Sequence, residues 1–171
     1  MIKLIKARES DLDELTTLYH RCVDDLNSRG IRQWDKEVYP NRQTQSASIK
    51  RGHQYRIGDE DRLIGAVVLN ETQAEEWAAV DWQFNDKTPL VIHALVIAPE
   101  AQGQGYGKKV LTACEDFARQ EGYQFMRLDV YPGNPAALRL YEKYGYLQRG
   151  KVSLAYKPPG HREYYCYEKK L

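Results

Sequence analysis

Apolar positions recur along the chain with two periods. Ile2 to Ala7 alternates apolar and polar residues, which predicts a first strand. Leu12, Leu15, Leu18, Cys22, Val23 and Leu26 then share one stripe of a helix. Ser10 is its expected N-cap, with Asp13 as capping-box partner and Gly30 as the stop. Ile31-Arg32-Gln33-Trp34 is irregular, and Pro40-Asn41 opens a second helix running to Arg51, whose apolar face is thin. Gln54 to Ile57 and Arg62 to Leu69 read as a hairpin around the turn Gly58-Asp59-Glu60-Asp61. From Asn70 to Phe84 the pattern is ambiguous: Trp77, Val80 and Trp82 fit a strand or an irregular crossover.

The second half is better marked. After the loop 85–89, Leu90 to Ile97 is an apolar strand. The short turn 98–101, a glycine-rich stretch and a helical stripe (Val110, Leu111, Cys114, Phe117, Ala118) follow, ending at Gly122. Phe125 to Val130 is a strand with apolar residues on both parities. Asn134 caps a short helix through Ala137, Leu140, Tyr141 and Tyr144, with Pro135 in its first turn and Gly145 at its end. Tyr146 to Val152 and Glu163 to Glu168 are the last strands. Helices and strands alternate while hairpins bracket the centre, so the expectation is one α/β domain over residues 1–171 with a mixed sheet.

Bulk properties narrow the function classes. The 171 residues are 42% apolar and 29% charged, ordinary for a globular domain. A net charge of +1 provides no broad field for nucleic acid or an acidic membrane, and no apolar run is long enough to span a bilayer. Cys22, Cys114 and Cys166 are too scattered for a disulfide framework, so buried free thiols in the reducing cytoplasm are expected. His20, His53, His93 and His161 have no partner at metal-ligand spacing, so no metal is expected.

The chemistry concentrates in Gln102-Gly103-Gln104-Gly105-Tyr106-Gly107-Lys108, between a strand and a helix start. Glycines there leave backbone N–H groups uncovered where a helix has unpaired donors and the positive end of its dipole, a site for phosphate or pyrophosphate. A Walker A loop fails, because Gly107-Lys108 is followed by Lys109 and position 102 is Gln. A dinucleotide fingerprint has Lys108 where its third glycine belongs, although Asp129 ends the next strand at a suitable distance, so dinucleotide binding stays open as a rival. The pattern Q/R-x-x-G-x-G/A is met by Gln102, Gly105 and Gly107.

That block, from Ile92 to Tyr146, resembles the acetyl-coenzyme A-binding core of the GNAT N-acetyltransferases. His93 to Glu100 followed by Gln102 to Gly107 is similar to the family's strand, turn and phosphate loop, and Asn134 to Tyr141 with Gly145-Tyr146 to its second motif. The resemblance implies a mixed, mostly antiparallel, splayed sheet flanked by helices. It implies that Gln102, Gly103, Gln104, Gly105, Tyr106, Gly107 and Lys108 hold the pyrophosphate, that Leu95, Val96 and Ile97 pair with the pantetheine arm, and that Asn134 touches the cofactor. An N–H near Val96 would polarise the thioester carbonyl. Tyr141 matches the family's general acid, a phenol that stays protonated at neutral pH. By spacing alone Tyr141 is a core residue and Asn134 a helix cap.

The general base is open between Glu71 and His93, with Glu76 and Asp81 as further carboxylates. The implied reaction is direct transfer of acetyl from acetyl-coenzyme A to a primary amine of a small molecule or peptide, by a monomer or homodimer. A non-catalytic acyl-coenzyme A sensor is the alternative. Specificity is assigned to the segments 25–54 and 70–88, where Trp34, Trp77 and Trp82 either wall the acceptor site or anchor those segments.

Overall fold

Alternating runs form seven strands: β1 (Ile2–Lys6), β2 (Gln54–Asp59), β3 (Arg62–Asn70), β4 (Leu90–Ile97), β5 (Phe125–Val130), β6 (Leu147–Ser153) and β7 (Glu163–Lys170). Amphipathic stripes form α1 (Leu12–Ser28), α2 (Arg42–Lys50), α3 (Tyr106–Gln120) and α4 (Pro135–Lys143). This computed structural model describes residues 1–59 and 61–171. The strands make one sheet in the order β1-β2-β3-β4-β5-β7-β6. All neighbours run antiparallel except β4 and β5, so the sheet is mixed and mostly antiparallel.

The β4–β5 junction positions the site. These two strands pair only at Leu90↔Met126 and Val91↔Arg127 and then part. A bulge explains the divergence. Ala66 of β3 faces Val96 of β4, yet Val68 faces His93, so β4 carries one extra residue. Ala94 absorbs it with φ 46°, a left-handed conformation, and such an insertion bends the strand that holds it. The Tyr19 hydroxyl donates to the Ala94 carbonyl at 2.8 Å and pins the bend to α1. On the other side β3 approaches closely: a Cβ on Gly65 would stand 2.1 Å from the Val96 oxygen.

The main core gathers Leu15, Leu18 and Tyr19 of α1, Val110, Leu111 and Cys114 of α3, and the inner strands. A second cluster joins Trp77, Trp82, Val91, Val152, Leu154, Tyr164 and Cys166. It fastens the 70–89 crossover to the sheet. The Trp82 indole donates to the Trp77 carbonyl at 2.9 Å, and the Arg127 guanidinium lies 4.1 Å from the Trp82 ring centre.

Three local expectations change. Ser10 is not the cap of α1: a 3-10 turn, Glu9–Asp11, precedes the helix, and the Asp11 carboxylate accepts from the Arg8 N–H at 2.7 Å. A charged carboxylate is the stronger acceptor, while Asp13 pairs with Arg42 instead. The β2–β3 tip is tighter than the turn 58–61, because Asp59 already pairs with Arg62; Glu60, part of that expected turn, lies outside the described residues. The Trp77 region is neither strand nor free crossover but a 3-10 turn, Glu75–Ala79, followed by irregular chain.

Candidate active site

The glycine-rich stretch forms the entry to α3. Gly105 is the N-cap at φ 77°, and Gly103 has φ 74°. Both conformations are left-handed, which glycine adopts without steric penalty. Among the described residues, and apart from the adjoining chain neighbours, no atom lies within 4 Å of where a Cβ would stand at either position. A bound anion can therefore approach the exposed N–H groups of the first turn. Gly107 serves a different purpose: its Cβ would meet Leu140 Cδ1 at 3.0 Å, so it sets the contact of α3 with α4. Two glutamines close the loop on itself. Gln102 donates to the Ile97 carbonyl at 3.0 Å and Gln104 to the Glu100 carbonyl at 2.7 Å.

This loop borders a cavity of about 340 Å³ whose walls include Leu95, Val96, Ile97, Gln102, Gly103, Gly105, Tyr106 and Gly107, together with Asn134 and Tyr141. The chemistry fits the pyrophosphate and extended arm of a coenzyme A: glycine N–H donors at a helix start, then an apolar slot along a strand that has left its partner. The side chains of Gln104 and Lys108 do not line it; Lys108 Nζ lies 5.9 Å from the Tyr144 ring centre.

A second cavity of about 520 Å³ occupies the opening between β4 and β5. Leu95, Asn134, Ala137 and Tyr141 line both, and so do Gln33 and Trp34 of the segment after α1. Gln33 ties the junction together: its Oε1 accepts from Asn134 Nδ2 at 3.0 Å and its carbonyl from the Tyr164 hydroxyl at 3.0 Å. Asn134 also caps α4, accepting from the Ala137 N–H at 3.2 Å. The helix cap is thus also a residue that lines both cavities.

Tyr141 is buried and packs edge-on against Tyr146, with ring centres 5.6 Å apart. Burial holds its phenol well above the usual range, with Cys114 and Asp129 adding to the rise. It stays protonated across the neutral range. The cysteines offer no competing nucleophile: burial pushes the Cys22, Cys114 and Cys166 thiols up to about 12.

His93 lines the second cavity. Its Nε2 lies 2.8 Å from Asn70 Oδ1, which also accepts from the Thr72 N–H at 3.0 Å. An oxygen there assigns the proton to Nε2 and leaves the lone pair on Nδ1. Burial lowers the His93 pKa to about 4, so the ring is neutral at pH 7. Leu95 lines the same cavity as His93, whereas Ile97 lines the first cavity and not the second. Glu71 is not brought to this cavity. Asn70 turns the chain there, and Glu71 accepts from the Tyr123 hydroxyl at 2.8 Å on a separate surface recess.

Some lining residues could not be assigned to this cavity from the chain order. Asp129 opens into the second cavity; burial raises its carboxyl, and Lys157 and the nearby Trp77 indole oppose the rise. Lys157 is 8% exposed, and burial lowers its ammonium. Tyr39, Tyr156 and Tyr164 complete an aromatic wall with Trp34 and Trp77. Trp77 thus lines the cavity and anchors its segment, while Trp82 serves as an anchor alone. The tyrosine-rich C-terminal third was the available cue, but only the sheet order decides which tyrosines meet.

A family model described as the acetyltransferase (GNAT) family matches residues 13–146. An acetyltransferase of Agrobacterium fabrum, Atu2258, is 41% identical over 59 residues, which are 34% of this chain and 42% of that protein. The match thus spans about two fifths of that relative's length. Among solved structures, a GNAT-family acetyltransferase from Streptococcus agalactiae superposes with TM-score 0.86 at 20% identity, covering 99% of this chain and 95% of that one. The spermidine N-acetyltransferase of Vibrio cholerae, solved with coenzyme A and spermine, gives 0.70 at 18% identity over 99% and 95% of the two chains. The ribosomal-protein-S18-alanine N-acetyltransferase of Escherichia coli gives 0.69 at 15% over 99% and 94%.

Proposed function

The chain belongs to the GNAT family of acetyltransferases, and from that premise we propose that it transfers acetyl from acetyl-coenzyme A directly to a primary amine of a small molecule or peptide. The observation that carries this reading is the meeting of the two cavities at Tyr141 and Asn134. One has the donors and slot for a coenzyme A, the other a carboxylate and aromatic walls suited to an amine.

Acetyl-coenzyme A supplies an activated thioester; the chain's residues do the rest. N–H groups around Gly103 to Gly107 hold the pyrophosphate, and the strand edge at Leu95 to Ile97 pairs with the arm. A backbone N–H near Val96 polarises the carbonyl as it gains negative charge. The amine nitrogen bonds to the carbonyl carbon, the carbon–sulfur bond breaks, Tyr141 protonates the departing sulfur, and the proton then shed by the new amide nitrogen restores the phenol. Asp129 attracts the incoming ammonium and takes its proton. His93, neutral with a lone pair on Nδ1, orients the amine by accepting a hydrogen bond; a pKa of about 4 makes it a weak base. The buried thiols leave no covalent acetyl-enzyme route on this chain's cysteines.

The test is coenzyme A thiol release from acetyl-coenzyme A across a panel of amines. Release that rises with added amine supports transfer. Tight coenzyme A binding with no amine-dependent release by any member would replace it with a cofactor-sensing role, and preferential NAD binding in calorimetry would overturn the cofactor assignment.

A further inference from the structure

The second cavity holds two opposite charges that do not touch. Asp129 and Lys157 both line it, yet no salt-bridge contact joins them among the described residues. Lys157 Nζ sits instead among tyrosine rings, 4.7 Å from the centre of Tyr164, 5.1 Å from Tyr39 and 5.4 Å from Tyr156. Ring faces attract a cation but do not neutralise it. Lys157 is nearly buried, at 8% exposure, and the charge that offsets it is Asp129, acting at a distance.

This arrangement constrains what can bind. When an acceptor ammonium reaches Asp129, the carboxylate is engaged and Lys157 loses its offset. A buried cation without a counter-charge is strongly unfavourable. An acceptor carrying its own anion restores the balance, and an acceptor carrying a second cation worsens it. Glu75 and Glu76 also line the cavity and favour cations there. Glu75 is exposed and Glu76 partly so, so solvent and salt screen them more than the buried pair.

We infer that the acceptor is a zwitterion of the amino-acid class, with its amine on Asp129, its carboxylate on Lys157 and an apolar or aromatic side chain against the tyrosine wall. Polyamines are disfavoured at this site. The assignment rests on the acetyl-transfer reading for its role in turnover but not for binding, so binding is measured first.

Calorimetry on the coenzyme A-bound protein compares L-amino acids, the amine of each lacking the carboxylate, and spermine. Some amino acid is expected to bind at least about tenfold more tightly than its decarboxylated amine, as one charge-assisted contact implies. Lys157→Met, close in shape, removes that preference, and Lys157→Arg keeps much of it. Melting curves verify that both variants are folded. Spermine or the decarboxylated amines binding as tightly as the amino acids in the wild type overturns the inference, as does a preference unchanged in Lys157→Met. So does the absence of binding by every amino acid. The two readings separate cleanly. Amino-acid binding without acetyl transfer keeps this site and removes the activity, whereas transfer to spermine without amino-acid binding keeps the activity and removes this site.

Discussion

At the scale of single residues, Tyr141 and His93 make opposite use of burial. Both are buried enough to suppress charge, which keeps the phenol protonated and the imidazole neutral. Loss of the donor in Tyr141→Phe is expected to lower kcat by about 10²- to 10⁴-fold, with coenzyme A affinity in calorimetry changed less than severalfold. An undiminished kcat would remove Tyr141 from the acid role. Because His93 titrates at about 4 rather than 6.5, kcat/KM is expected to show no inflection near pH 6.5 from this residue. The same shift acts on stability. The unfolded chain binds the proton more readily, so the contribution is full above pH 6.5 and is lost as pH falls toward 4. Against His93→Gln, the stability advantage of the wild type at pH 7 is expected to shrink by about 3 kcal/mol at pH 4, measured by urea denaturation at both pH values.

At the scale of elements, the glycines divide by what they do. Gly65 lets β3 lie against the bulged β4, and the atom a Cβ would strike there is a backbone oxygen at 2.1 Å, which cannot swing away. Gly65→Ala is expected to destabilise the fold by more than about 2 kcal/mol in chemical denaturation and to disturb the splay. At Gly107 the obstruction is the flexible end of Leu140, and alanine is the better helix former by about 1 kcal/mol. Gly107→Ala should therefore be near neutral. Equal losses in the two variants would contradict this account of the β4 bulge. Gly103→Ala and Gly105→Ala each impose a left-handed penalty of about 1–2 kcal/mol and should weaken coenzyme A binding more than Gly107→Ala does.

Across the whole molecule, the two cavities are held in register by a segment between α1 and α2 that contains no regular structure. Gln33 reaches Asn134 on α4 with its side chain and Tyr164 on β7 with its carbonyl. Gln33→Ala deletes only the first link. The expected outcome is a severalfold rise in KM for both substrates with kcat little changed, because Gln33 aligns the cavities. A change confined to kcat in steady-state assays would contradict that role.

Much of this protein was legible in the order of its residues. Local periodicity set the element types, because backbone hydrogen bonding and the burial of one face act over a few residues. The glycine-rich entry to α3 was legible for the same reason: Gln102 to Lys108 is continuous in the chain, and its left-handed turns at Gly103 and Gly105 favour glycine. Asn134 and Tyr141, seven residues apart in a marked helix, shared that advantage. What tertiary structure alone decided lies in contacts between distant segments. The bulge at Ala94 is visible only once β3 supplies a register. The turn at Asn70 sends Glu71 away from the second cavity. Asp129 and Lys157 lie 28 positions apart, and neither has a local reason to face the other. Strand order and the parting of β4 from β5 bring them to one cavity, where low dielectric makes their charges matter. The glycine-rich loop is therefore written in one stretch of chain, while the second cavity is assembled from several.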